Sequence, residues 1–82
     1  MISTLLAEVG AELDRAQQLF EPLHSPHEGL AVIEEEFEEF KREVWKHNLT
    51  KNRDTRPQMR EELIQLAAMA LRTINDTIGD KL

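Results

Sequence analysis

The sequence contains no cysteine. That excludes a disulfide framework and any thiolate metal site. No apolar run is long enough to span a bilayer. Positive charge is in deficit: 10 Lys and Arg face 16 Asp and Glu, for a net charge of −6. Direct nucleic-acid binding, which rests on neutralising phosphates, is therefore not expected. The stretch Met1–Leu5 lacks the basic region of a signal peptide, so a soluble cytoplasmic protein is expected. Strand signals and internal repeats are also missing. Apolar residues make up 40% of the 82 positions, which is low for a lone core of this size. One domain over residues 1–82 is expected, with a partner chain supplying further burial.

What is present is acid on a helical frame. Glu34, Glu35, Glu36, Glu38, Glu39 and Glu43 crowd one stretch, interleaved with Leu30, Ile33, Phe37, Phe40 and Val44 at steps of three and four. That spacing is an apolar helical stripe. At about 100° per residue, Glu35, Glu36, Glu39 and Glu43 form a sloping acidic patch along one edge of the stripe. Like charges at these spacings cost about 0.2–0.5 kcal/mol per pair. A hard divalent cation such as Mg²⁺ would offset the repulsion; a solvated charged face is the plainer alternative. Lys41 is placed to serve Glu38, and Lys46 to serve Glu43, but neither serves Glu35 or Glu36 well.

Three helices are expected. The first covers about residues 4–20, capped by Ser3 or Thr4, with Leu5, Leu6, Val9, Leu13, Ala16 and Phe20 on its apolar face. Ser25-Pro26-His27-Glu28 carries a capping serine, a first-turn proline and a glutamate three residues on. The second helix runs from there to about Lys46, followed by a loop over 47–54. Thr55 with Gln58 repeats the capping logic for a third helix over about 56–77, with Gly79 as its stop. Its apolar set is Met59, Leu63, Leu66, Ala67, Ala70, Leu71, Ile74 and Ile78. Glu62, Gln65, Met69, Arg72 and Asp76 form a second stripe at its margin. If the second and third helices are antiparallel, Glu62 joins the acidic patch and Gln65 offers an amide. Arg72 and Asp76, four apart, also read as an intrahelical ion pair. The fold class is all-α: a helical hairpin plus an N-terminal helix, assembling through oligomerisation into a helical, four-helix-type bundle.

Glu35-Glu36-Phe37-Glu38-Glu39 on one helix, followed by Glu61-Glu62-Leu63-Ile64-Gln65 on the next, resembles the MazG-like branch of the all-α nucleoside triphosphate pyrophosphohydrolases. Ser25–Gly29 and Gln65–Ala70 resemble the style of a small subgroup of that branch, and the likeness covers about residues 25–76. The resemblance implies helical dimers or tetramers that bind Mg²⁺, or Mn²⁺, through glutamates. It implies cleavage of a nucleoside or deoxynucleoside triphosphate to monophosphate and pyrophosphate. Carried over by position, Glu35, Glu36 and Glu39 are the catalytic and metal group, and Glu62 is the ligand from the next helix. Gln65 departs from the pattern, where aspartate is expected. His27, Lys46, Arg60, Gln65 and Arg72 are candidates for substrate contact. Arg53, Arg56, Lys51, His24 and Trp45 are further groups able to touch phosphate or base; ordinary surface charge is the plainer reading of the cations, a helix-start role the alternative for His24, and packing the plainer reading of Trp45. The competing reading is a non-catalytic helical interaction module on the same fold, which Gln65 favours.

Overall fold

A computed structural model describes residues 1–49 and 54–79. Three helices account for nearly all of them: α1 (Ile2–Leu19), α2 (Pro26–Leu49) and α3 (Arg56–Thr73). A five-residue π-helical turn, Ile74–Ile78, continues α3. Among the described residues there is no strand, and no helix is long and apolar enough to cross a membrane.

α1 begins at Ile2 with Met1 as cap, so Ser3 and Thr4 lie inside the helix and not before it. α2 starts at the predicted place. The Glu28 N–H donates to Ser25 Oγ at 3.2 Å, and the Glu28 carboxylate accepts the His24 N–H at 3.0 Å. The box is thus closed one residue further back than in its usual form. α2 extends three residues beyond Lys46; positions 50–53 of the predicted loop, with Lys51 and Arg53, lie outside the described residues. Thr55 does not cap α3 through its side chain. It is 1% exposed, and its hydroxyl donates to the Glu43 carbonyl of α2 at 2.6 Å. Asp54 takes over the capping role by accepting the Arg56 N–H at 3.0 Å.

α3 is the central element, with α2 on one side and α1 on another. α2 and α3 are antiparallel: Gly29 meets Thr73, Glu36 meets Glu62, and Glu43 meets Thr55. α1 and α3 run parallel, joined near their starts by Arg60 and Glu8 and near their ends by Arg72 and the Glu21 carbonyl. Ala16, Ala68 and Met69 form the buried centre, with Val9, Leu13, Val32 and Ile33 packed around it. The buried arc of α3 therefore runs through Ala68, Met69, Arg72 and Thr73. The predicted arc was rotated from this, since Leu63, Leu71 and Ile74 are about half exposed. On α2, Leu30 and Phe37 of the predicted stripe are also half exposed, and Leu6 on α1 and Phe20 just past its end are mostly exposed. The reason is geometric. α1 and α2 flank α3, so the face carrying Ala68, Met69, Arg72 and Thr73 fills the seams, and Leu63, Leu71 and Ile74 border the open side.

The predicted end of α3 also changes character. Thr73 donates to the Met69 carbonyl and Thr77 to the Thr73 carbonyl, back-bonds that compete with regular helix geometry. The ladder widens to a π turn and stops at Gly79, whose φ of 43° is the left-handed conformation glycine adopts without strain. The turn presents Asp76 to the Leu23 N–H at 2.9 Å, tying the α1–α2 connector to α3.

One glycine sets the α2–α3 spacing. A Cβ at Gly29 would lie 2.5 Å from Thr73 Oγ1. Thr73 is buried and held by its bond to Met69, so it cannot swing clear. Gly29→Ala should destabilise the fold by about 1–3 kcal/mol, read as a lower urea midpoint. Thr73→Ala in the same background should recover part of the loss, because the two positions are in direct contact. Additive effects would show that the helices are not this close.

Candidate functional site

The acidic patch and Glu62 do come together. One carboxylate oxygen from each of Glu36, Glu39 and Glu62 lies within 4.8 Å of the other two. Glu36 and Glu39 sit one turn apart on α2, and Glu62 crosses from the antiparallel α3. Among the described residues no Lys or Arg pairs with any of the three. Their mutual repulsion is on the order of 3 kcal/mol per ionised pair at an effective dielectric of about 20.

Protonation relieves part of that repulsion. Glu36 Oε2 and Glu62 Oε2 are sealed from solvent, and neither has a hydrogen-bond partner while both groups are ionised. Carboxylates are acceptors only, so one must hold a proton before two can bond. Glu62 is that group. Burial first, then the Glu39 and Glu36 carboxylates, push it up to about 8. Glu36 is also raised, by burial foremost and by the Glu39 charge. The resulting donor set, three hard carboxylate oxygens within 4.8 Å of one another, is one that could hold a metal ion.

The other predicted residues separate into two groups. Glu35, Gln65 and Arg72 line a cavity of about 480 Å³ beside the trio, and Glu36 belongs to both. The Glu35 carboxylate is exposed and lies outside the trio, because one residue of helix turns it about 100° from Glu36. Arg72 is 5% exposed. Its guanidinium donates to the Glu21 carbonyl at 2.7 Å, lies 3.6 Å from Asp76 and sits over the Phe20 ring. It is thus a tie between α3 and the connector as well as a cavity wall. His27, Lys46 and Arg60 are not at the cavity. His27 is exposed at the start of α2, Lys46 pairs with Glu43 at 3.1 Å, and Arg60 pairs with Glu8 beside a separate apolar groove. Arg56 is paired with Asp54.

Sequence reasoning named His24, which lines the cavity, but missed the contribution of α1 and of the rest of the connector. Glu12, Phe20 and Leu23 wall the cavity. The only local signal was the helix break at Glu21-Pro22, which brings Leu23 inward to 8% exposure. Compared with known proteins, the chain matches no family model, no curated protein and no solved structure.

Proposed function

We propose that this chain is a divalent-cation-dependent nucleoside triphosphate pyrophosphohydrolase, releasing nucleoside monophosphate and pyrophosphate. The observation that carries this reading is the convergence of Glu36, Glu39 and Glu62 from two helices, with no Lys or Arg among the described residues paired to them. The resemblance of the two glutamate motifs to MazG-like proteins supports it. A bound divalent cation supplies charge neutralisation for the phosphoanhydride and acidifies water. Glu36, Glu39 and Glu62 would hold that cation, and Glu62 would have to release its proton to do so, since ligands must be deprotonated. α2 and α3 fix the three carboxylates on rigid elements, so little reorganisation is needed. The test is a screen of nucleoside triphosphates with Mg²⁺ and identification of both products. Orthophosphate release alone would point to another reaction.

We further infer that the chain works as a homodimer or homotetramer. Leu30 and Phe37 on α2, Leu63 on α3 and Ile74 just beyond it are each about half exposed, and a second copy covering them would take apolar surface out of water. Sedimentation at micromolar concentration should give at least a dimer, and Phe37→Glu should shift it toward monomer. A compact wild-type monomer would remove this part of the reading. The same surface favours the second reading, an interaction module without chemistry, should no triphosphate be cleaved.

A further inference from the structure

The cavity beside the trio has its own chemistry. Its volume, about 480 Å³, falls in the range of small-molecule sites. Phe20, Leu23, Val32 and Met69 give it apolar walls. Its charged lining is five glutamates against two arginines. Both arginines are engaged: Arg15 with Glu12 at 2.6 Å, and Arg72 with the Glu21 carbonyl and Asp76. Such a cavity repels a phosphate chain. It accepts a flat, neutral group that donates hydrogen bonds.

Four lining side chains, Glu21, Glu35, Glu36 and Gln65, lack a hydrogen-bond partner among the described residues; Glu36 belongs to the trio and Glu21 to the connector. Among the described residues, neither the Glu35 carboxylate nor the Gln65 amide makes a hydrogen bond. They come from the two antiparallel helices. Glu35 adjoins Glu36, and Gln65 lies one turn beyond Glu62, so both sit where the cavity meets the trio. Resting on the reading of the trio as a nucleotide-hydrolysing centre, we propose that this cavity receives the base of the nucleotide. Glu35 and Gln65 select the amidine edge shared by cytosine and adenine, an amino group beside an unprotonated ring nitrogen.

The chemistry is complementary. A carboxylate accepts from the amino group, as acidic side chains do from cytosine N4. The Gln65 amide donates to the neighbouring ring nitrogen and can accept as well. Uracil, thymine and hypoxanthine present the reverse pattern at that edge, a carbonyl oxygen beside a ring N–H. With the exocyclic group set toward Glu35, as the proposal requires, the carbonyl would face the carboxylate with no donor between them. Gln65 thereby acquires a role that aspartate could not fill, because a carboxylate has no hydrogen to give the ring nitrogen.

The test uses the full chain. Cytidine, adenosine, uridine and inosine are titrated calorimetrically without metal, and the corresponding triphosphates are assayed for turnover with Mg²⁺. Cytidine or adenosine should bind about 10–100-fold tighter than uridine and inosine, the discrimination of one good bidentate contact. Which of the two binds better identifies the ring. Glu35→Gln and Gln65→Met should each shrink the ratio at least tenfold, whatever they do to absolute turnover. Equal binding of all four, no binding of any, or a ratio unchanged in both variants would overturn the proposal. Discrimination among nucleosides without cleavage of any triphosphate would leave the cavity assignment standing and remove the hydrolase reading. Cleavage without base preference would do the opposite.

Discussion

Glu62→Gln and Glu39→Gln should each lower Mg²⁺-dependent pyrophosphate release by about 100-fold or more, comparable to loss of one preorganised charge-stabilising group. Glutamine keeps the size of the side chain and one oxygen but removes the charge that a hard cation requires. The trio has no spare carboxylate within its 4.8 Å cluster. Glu43 has a sealed oxygen too, but its other oxygen is held by Lys46. Glu38→Gln, on the far side of α2, is the internal comparison and should change turnover by less than threefold. Activity of either trio variant within threefold of wild type would sink the assignment of these carboxylates. The folded state must be checked in parallel, and Glu62→Gln makes that check unusually clean. Removing a half-buried carboxylate whose ionisation is opposed by burial and by Glu39 and Glu36 should stabilise the metal-free chain, so activity and stability move in opposite directions.

The parts of this site that were legible from sequence are those set by helix periodicity alone. Glu36 and Glu39 share a face because they are three apart. Glu62 reaches them because a polar stripe on the next helix runs at steps of three and four, and two helices with a short connection run antiparallel. The start of α2 was legible because a capping box is a local device. The cavity was not legible, because it depends on the path of Phe20–Leu23, which is fixed by Asp76 from 53 residues away. The π turn that places Asp76 was equally hidden, since threonine back-bonds on a helix have no compulsory outcome. The rotation of the α3 arc toward Ala68 and Met69 came from the packing of α1, whose position no spacing rule specifies. Glu35 shows the limit most directly. Motif likeness groups it with Glu36, and one step of helix puts it on the cavity wall.

The metal-free protein should lose stability as pH rises from about 5 to 8.5, and Glu62 should account for a defined share of the loss. The ordinary carboxyl value is 4.5, and Glu62 in the folded chain is pushed up to about 8. Between these values the unfolded chain has released the proton and the folded chain retains it. The folded state thus binds more protons, and stability falls with pH throughout that window. The contribution is fully present below about 4.5 and is lost by the time pH has passed about 8. Glu36, raised in the same direction, adds to the slope. Other carboxylates and histidines titrate as well, so the readout is the difference between wild type and Glu62→Gln. Thermal melts at pH 5 and 8.5 should show a wild-type fall exceeding that of the variant by at least about 5 °C, or ~1 kcal/mol for a domain this size. Adding Mg²⁺ at millimolar concentration should restore much of the wild-type loss at pH 8.5. A cation held by the trio would bind the folded chain and not the unfolded one, and its binding would be easier once Glu62 is ionised. Restoration should be weak at pH 5 and nearly absent in Glu62→Gln at either pH. Identical pH slopes in the two proteins would mean that Glu62 ionises as an ordinary surface carboxylate. An Mg²⁺ effect of equal size in both would place the cation somewhere other than the trio.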